Sequence, residues 1–445
     1  MWQNKIVRTV TIIVGALIAL ALVPRVWLKL YSTVKCSKGA TYQVVYEADL
    51  VTLLRDLAKN KDARFDEIMT ELSKTAATPN ADYFAALQQK FSAAGIRFNS
   101  YFGSRAQTDA QIIDELRKNV AAAIDGNIKI LNNRLEQFGI CKHLINKQGN
   151  HRIVIKLKLP AAIDVERVKQ VFGKTARLEF NLVENSQIFQ DFITRIDNLL
   201  KRDLKAKPGW MADSTGAGGK ISKDKAVNVS ELFAGSSIVP DDSSSSSQDS
   251  VQVDKDIFSG NPFISLLRDV GRGEVAAPVK NVRAVERILN NPEVQKLIPP
   301  DAKFAWSNKP EQIADEKYYY LYLLKKEPEL TGAYLTEARA QIVSGSGLTR
   351  QGEWAVSIQL NEEGTKIFSR LTGANVNKRL AIVIDDKVVM APNIKEKIPN
   401  GSASLEGNMS AIEAKDLAIL LRAGSLQVPM KTVEVRIVES PSTQQ

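Results

Sequence analysis

The run Lys431-Thr432-Val433-Glu434-Val435-Arg436-Ile437-Val438 alternates apolar and polar residues as a half-buried strand does. It stands alone. A helical pattern and Gly424 precede it, and a polar stretch, residues 439–445, follows. A single strand cannot pair its own N–H and C=O groups, so this one must join a sheet built far upstream. The block before it then reads as an excursion from that sheet.

Upstream, Thr41–Glu47 is rich in β-formers and predicts a strand. Leu53, Leu54, Leu57, Ile68 and Leu72 predict a helical stretch over residues 50–72, and a further helix covers 82–94. A long helix over 108–138 follows from Ile112, Leu116, Val120, Ile124, Leu131 and Leu135, and Gly139 caps it. Strands at 141–147 and 152–159 form a hairpin around Gln148-Gly149-Asn150. A short helix over 164–171 and a strand over 177–183 complete a strand, helix, hairpin, helix, strand order, which is an α+β pattern.

Residues 188–204 predict a helix. Residues 208–254, with Gly216-Ala217-Gly218-Gly219 and serines 243–247, have linker composition. A helix over 282–297 and a strand over Lys317–Lys325 follow, the latter with four tyrosines that read as a packed strand or a contact face. Trp354–Leu360 is a strand and Asn361–Leu371 a helix with Asn361 as N-cap. Residues 375–392 read as strand, Asp385-Asp386 turn, strand and Pro392. A turn is expected near Glu406-Gly407, then a helix from its cap Ser410 to Gly424.

The 445 residues carry 60 Lys and Arg against 50 Asp and Glu, a net charge of +10. No basic stripe interleaved with aromatics appears, which excludes nucleic acid as the expected partner. Cys36, Cys141, His143 and His151 show no metal-ligand spacing. Two separate thiols are the favoured reading, and a Cys36–Cys141 disulfide is chemically allowed in an oxidising compartment. No nucleophile elbow or metal motif stands out. Gly345-Ser346-Gly347 reads as a flexible turn, and Asp385-Asp386 as solvated charge at a hairpin tip. No cofactor and no enzymatic activity are expected.

Residues 9–28 form an apolar stretch of spanning length once Arg25 snorkels, with Trp2 and Trp27 at its ends. A membrane anchor is expected, preceded by a cytoplasmic N-terminus over residues 1–8. No small-x-small cleavage site follows, which argues against a signal peptide. Lys5 and Arg8 precede the stretch while Arg25, Lys29, Lys35 and Lys38 follow it, so loop charge does not set the orientation.

Several short lines together resemble the SecD family of protein-export membrane subunits. They are Leu131-Asn132-Asn133-Arg134-Leu135-Glu136-Gln137-Phe138-Gly139-Ile140, the Gly149 hairpin up to Pro160, Ala176-Arg177-Leu178-Glu179-Phe180, Leu330-Thr331-Gly332, the 375–392 hairpin and Leu421-Arg422-Ala423-Gly424-Ser425-Leu426. They occur in the family's order. The extra helices between Ala48 and Thr108 are similar to the version fused to SecF in Bacteroidetes-type bacteria.

The resemblance implies one N-terminal span in the cytoplasmic membrane, and a bulk that is periplasmic. It implies a ferredoxin-like base sheet, residues 36–183 plus 431–438, and an inserted α+β head, residues 184–425. The head is expected to swing on a hinge near Val183, Glu184, Gly424 and Ser425. Arg134, Gly139, Gly149, Thr331, Gly332, Lys378, Asp385, Pro392, Arg422 and Gly424 are carried over as structural residues of the family's motifs. Implied partners are a SecF-like subunit, a SecY-type translocon, YidC- and YajC-like proteins, unfolded secretory polypeptides and the lipid bilayer.

The chain departs from the family in places. Asn377 and Asp386 stand where glycines are usual, and residues 32–39 keep one glycine of a glycine-rich line. The sequence ends at Gln445, where a second span is expected, so it reads as a piece of a longer protein or as a single-span relative. The family's proton path lies in those later spans. The expected function is therefore a non-enzymatic export subunit that receives emerging preprotein and hinders its backsliding. The alternative is an anchored scaffold without a transport cycle.

Overall fold

The computed structural model describes residues 39–75, 82–103, 106–140, 142–160, 164–206, 226–228, 252–254, 260–271, 273–343 and 353–439. The apolar segment 9–28, both cysteines and Gly345–Gly347 lie outside these residues. The chain divides into two compact units, one reaching Ala176 and resuming at Ala423, the other spanning Arg177–Arg422.

The first unit contains β1 (Gly39–Ala48), α1 (Leu50–Leu57), α2 (Ala63–Thr75), α3 (Tyr83–Ala93), α4 (Asp109–Gln137), β2 (His143–Gln148), β3 (Arg152–Pro160), α5 (Val165–Phe172) and β18 (Met430–Glu439). Its antiparallel sheet runs β18-β1-β3-β2, and the lone C-terminal strand finds its partner in β1, with Val435 opposite Val44. This is the strand order of a ferredoxin-like sheet. Val44, Tyr46, Ile153, Ile155 and Leu157 form the buried face.

Helix α4 starts on a reciprocal capping box between Thr108 and Gln111. It ends on Gly139, at φ +77°, with the Ile140 N–H returned to the Leu135 carbonyl. The stretch expected as one helix over 50–72 is broken. Residues 59–62 are polar, and the Asp62 carboxylate accepts from the Phe65 N–H at 2.9 Å, which restarts the helix as α2. Phe65, Phe91, Phe98, Tyr101 and Phe102 close this helical corner, with Phe91 stacked on Phe98 at 4.5 Å.

The second unit begins with β4 (Leu178–Leu182) and α6 (Ser186–Ala206). Within the linker-like segment, β5 (Ala226–Asn228) and β6 (Gln252–Asp254) pair with each other. Next come β7 (Arg268–Gly271), β8 (Glu274–Pro278), α7 (Val282–Leu289), α8 (Pro292–Gln295), β9 (Ala302–Ser307), β10 (Glu311–Ile313), β11 (Glu316–Lys325) and β12 (Leu330–Thr331). The unit ends with β13 (Leu335–Ile342), β14 (Trp354–Leu360), α9 (Glu362–Ala374), β15 (Leu380–Ile384), β16 (Lys387–Met390), β17 (Ser402–Met409) and α10 (Ala411–Ala423).

A nine-stranded sheet runs β12-β4-β15-β16-β9-β11-β8-β7 with β10 beside β11, and a separate sheet runs β13-β14-β17. One core joins α6 and α7 to Val275, Trp306, Leu321 and Leu323. Another joins α9 and α10 to Phe180, Ile382, Val356 and Leu405.

Three expectations change, and one pair of alternatives is resolved. Strand β4 was expected in the base, whose boundary was placed at 183. It pairs instead with β15 and β12, so the second unit begins at Arg177. All five β4 residues are buried, as an inner strand of a wide sheet requires. The helix over 282–297 is interrupted at Asn290-Asn291-Pro292, where Asn291 caps a new start. Glu406-Gly407 lies inside β17 rather than in a turn, at an irregularity between the pairs Val356–Leu405 and Trp354–Met409 that tie the strand to β14. The tyrosine-rich strand is packed, with Tyr318 only 3% exposed.

Candidate functional site

The chain passes from the first unit to the second at Ala176–Arg177 and returns at Arg422–Ala423. The motif residues of widest sequence separation gather beside these two links, within one unit or the other.

In the first unit Arg134 is fully buried on α4, in a stripe with Leu131 and Leu135. Its Nη1 donates to the carbonyls of Phe172 at 3.0 Å and Lys174 at 2.6 Å. Its Nη2 donates to those of Thr175 at 3.1 Å and Gly424 at 3.0 Å. Phe172 ends α5 and Gly424 follows α10, so the guanidinium answers carbonyls that helix ends leave over, where a cation is favoured. One planar fork therefore holds both the departing and the returning segment. The Leu426 N–H adds a direct bond to the Thr175 carbonyl at 2.9 Å.

Two turns earlier on the same face, buried Asn127 continues this fixing. Its Nδ2 donates to the Val428 carbonyl at 2.8 Å, and its Oδ1 accepts from the Gln427 N–H at 2.7 Å. Gly126 beside it leaves room for Gln427, whose side chain a Cβ would meet at 2.6 Å. Burial pushes the Tyr46 hydroxyl well above its usual range, and the Arg134 charge acts in the opposite sense. Gly424 takes φ +94°, and Ala176 takes φ +58° although it has a Cβ, so the backbone at the departing link is strained.

In the second unit the Asp385-Asp386 turn holds Arg177. Both aspartates have positive φ, 51° and 61°, as a two-residue hairpin turn of this hand requires. The Asp385 carboxylate accepts from the Arg177 N–H at 2.9 Å, and the Asp385 N–H donates to the Arg177 carbonyl at 3.1 Å. Asp386 accepts from Arg177 Nη2 at 3.0 Å. Glu179 lies between Arg177 Nε at 3.2 Å and Lys303 Nζ at 2.9 Å. The turn expected to carry only solvated charge is thus tied to the first residue of its unit.

The other motif residues do not converge here. Gly149, at φ +63°, turns the β2–β3 hairpin. Thr331 pairs with Glu179, and Gly332 lets the backbone approach Leu178, which a Cβ would meet at 3.1 Å. The Lys378 Nζ bonds Asn375, and the Pro392 carbonyl accepts from the Leu380 N–H. Arg422 and Ser425 are exposed. Val183 and Glu184 lie inside the second unit, their N–H groups bonded to Arg379 and Leu323. That places the expected hinge pair past the link at Ala176–Arg177. Asn127 was missed, although a polar residue between Ile124 and Leu131 in an apolar stripe is a readable sign. Among the described residues no cluster of three His, Cys, Asp or Glu could hold a metal ion.

Two family models match this sequence: "SecDF, P1 head subdomain" over residues 308–428, and "Protein translocase subunit SecDF, P1 domain, N-terminal" over residues 124–185. The protein translocase subunit SecD of Rhodothermus marinus is 31% identical over 409 residues, covering 89% of this chain and 60% of its own length. SecD of Calditerrivibrio nitroreducens is 28% identical, covering 73% and 42%. The chain thus spans 60% or less of these two curated relatives. A crystal structure of SecDF in a super-membrane-facing form aligns at 22% identity and TM-score 0.40, covering 90% of this chain and 30% of the other.

Proposed function

Because the chain belongs to the SecD family of protein translocase subunits, we propose that it is the extracytoplasmic part of a Sec-dependent export accessory. It is non-enzymatic. The first unit is the base and the second the head, and the head captures a preprotein emerging from a SecY-type translocon and hinders its return. A SecF-like subunit and YidC- or YajC-like proteins complete the assembly at the cytoplasmic membrane.

The observation that carries this reading is the single polar knot on Arg134, which fixes the outgoing and returning segments to each other. With Arg134 on one side and Asp385 on the other, backbone rotation concentrates at Ala176–Arg177 and Arg422–Ala423. The pivot then lies at 176–177 rather than at 183–184, and Gly424 supplies conformational freedom on the returning side.

A disulfide engineered to join the two units in the full-length protein tests the swing. Impaired export of secreted proteins, restored by reductant, is the expected result. Normal export with the bridge fully formed would remove the moving head and leave the scaffold reading. Photo-crosslinkers placed in the second unit should also capture a stalled preprotein, and a scaffold would capture none.

A further inference from the structure

We propose that the face of the four-stranded sheet opposite its core, at the end where β1 starts and β18 finishes, is a contact for an anionic bilayer surface. The sheet register places the surface. Leu144, Lys156, Gln43 and Arg436 form one row across β2, β3, β1 and β18, in which Gln43 is buried and the other three are exposed. Lys158 lies opposite Thr41 in the next row, and its N–H bonds the carbonyl of Lys142. Leu144 is 55% exposed, and Val438 near the end of β18 is 46% exposed. Large apolar side chains beside lysines are the composition of an interfacial surface, where stems lie along acyl chains and ammonium groups meet headgroups.

Charge selects the occupant. Arg436 pairs with Glu434 and Arg152 with Glu47 on this face. The side chains of Lys142, Lys156 and Lys158 have no acidic partner among the described residues. Three uncompensated cations beside the exposed side chains of Leu144 and Val438 complement a negatively charged leaflet rather than a neutral one.

Chain length supplies the proximity. Residues 29–38 alone separate the apolar stretch 9–28 from β1, at most about 35 Å of extended chain. The inference does not depend on polypeptide capture by the second unit.

The test uses the whole chain with Cys36 and Cys141 replaced by serine, reconstituted in nanodiscs. An environment-sensitive dye is placed at Leu144→Cys, at Val438→Cys, and at Gln148→Cys on the far end of β2. In discs containing phosphatidylglycerol, the dyes at 144 and 438 should shift to the blue and be quenched by a lipid-borne quencher, while the dye at 148 stays in water. Each Lys→Gln change should weaken this contact about fivefold, and the Lys142, Lys156 and Lys158 triple change about a hundredfold. Equal immersion in pure phosphatidylcholine, or full immersion in the triple variant, would overturn a charge-selected contact. Dyes at 144 and 438 as wet as that at 148 would overturn the contact altogether. Should the chain fail to enter discs, the same dyes are read with phosphatidylglycerol vesicles, where no shift is equally decisive against it.

Discussion

The two fixings beside the chain crossings use the same residue type in opposite environments. Arg134 is fully buried and donates to four backbone carbonyls, whereas Arg177 has a side chain 47% exposed and binds carboxylates. A buried guanidinium costs much to desolvate, and here the two Nη groups recover that cost through four carbonyls. Removing it strands those acceptors. An exposed pair competes with water and is worth little. The contrast indicates that the crossing is held rigidly within the first unit, while within the second it is positioned by turn geometry and trimmed by weak charge contacts.

That contrast can be broken in order of expected effect. Arg134→Leu removes the donors to the Phe172, Lys174 and Gly424 carbonyls, leaves Thr175 only its bond from Leu426, and should destabilise the first unit by about 3–5 kcal/mol. Chemical denaturation followed by hydrogen exchange in each unit reads this, and an equal loss in both units would contradict it. Arg134→Lys should recover only part, because an ammonium cannot reproduce the planar fork. Asn127→Leu should cost about 2–3 kcal/mol, with exchange increasing first at Gln427 and Val428. Protection unchanged at those two amides would show that the returning segment is held by Arg134 alone.

Acid should separate the units by a smaller effect. Burial holds the His151 imidazole below its usual 6.5, with Glu47 opposing and Arg152 assisting. The unfolded chain therefore takes up this proton first, and the stability tied to neutral His151 is present above pH 6.5 and falls below it. In the second unit the Lys309 hydrogen bond, followed by the Ser410 backbone N–H, holds Glu413 down at about 2. Its contribution is present above 4.5 and fades as pH drops toward 2. Unit-resolved exchange against pH should show the first unit loosening at milder acidity, and His151→Gln should remove that early step.

The smallest effect belongs to the exposed pair. Asp386→Ala should cost less than about 1 kcal/mol. Asp386→Gly should be close to neutral, because the lost ion pair is offset by relief of the positive φ. A loss above about 2 kcal/mol for either change in thermal unfolding would make Arg177 as strongly held as Arg134, and the proposed asymmetry would fail.

Much of the site was legible as residues and little of it as a site. Arg134, Gly139, Asp385 and Gly424 stood out in their motifs, and both turn glycines and the Asp-Asp turn adopt the left-handed backbone their positions suggested. That Arg134 meets Gly424, 290 residues away, had no local trace. Asn127 was visible only as a blemish in an apolar stripe. The Asp385-Asp386 turn looked merely solvated because its partner, Arg177, lies over 200 residues earlier.

Local periodicity determined the helices, the hairpins and the need of the final strand for a distant sheet, because helical and strand patterns are set by neighbours along the chain. Cap and turn chemistry placed the end of α4 and the tip of the β15–β16 hairpin for the same reason. Tertiary structure alone decided that β4 opens the second unit, and that β17 is a strand through Glu406-Gly407. It also decided that one arginine serves four carbonyls. Those outcomes depend on which surfaces remain to be buried once the chain has closed on itself, and a strand five residues long carries no information about the neighbour it will pair with.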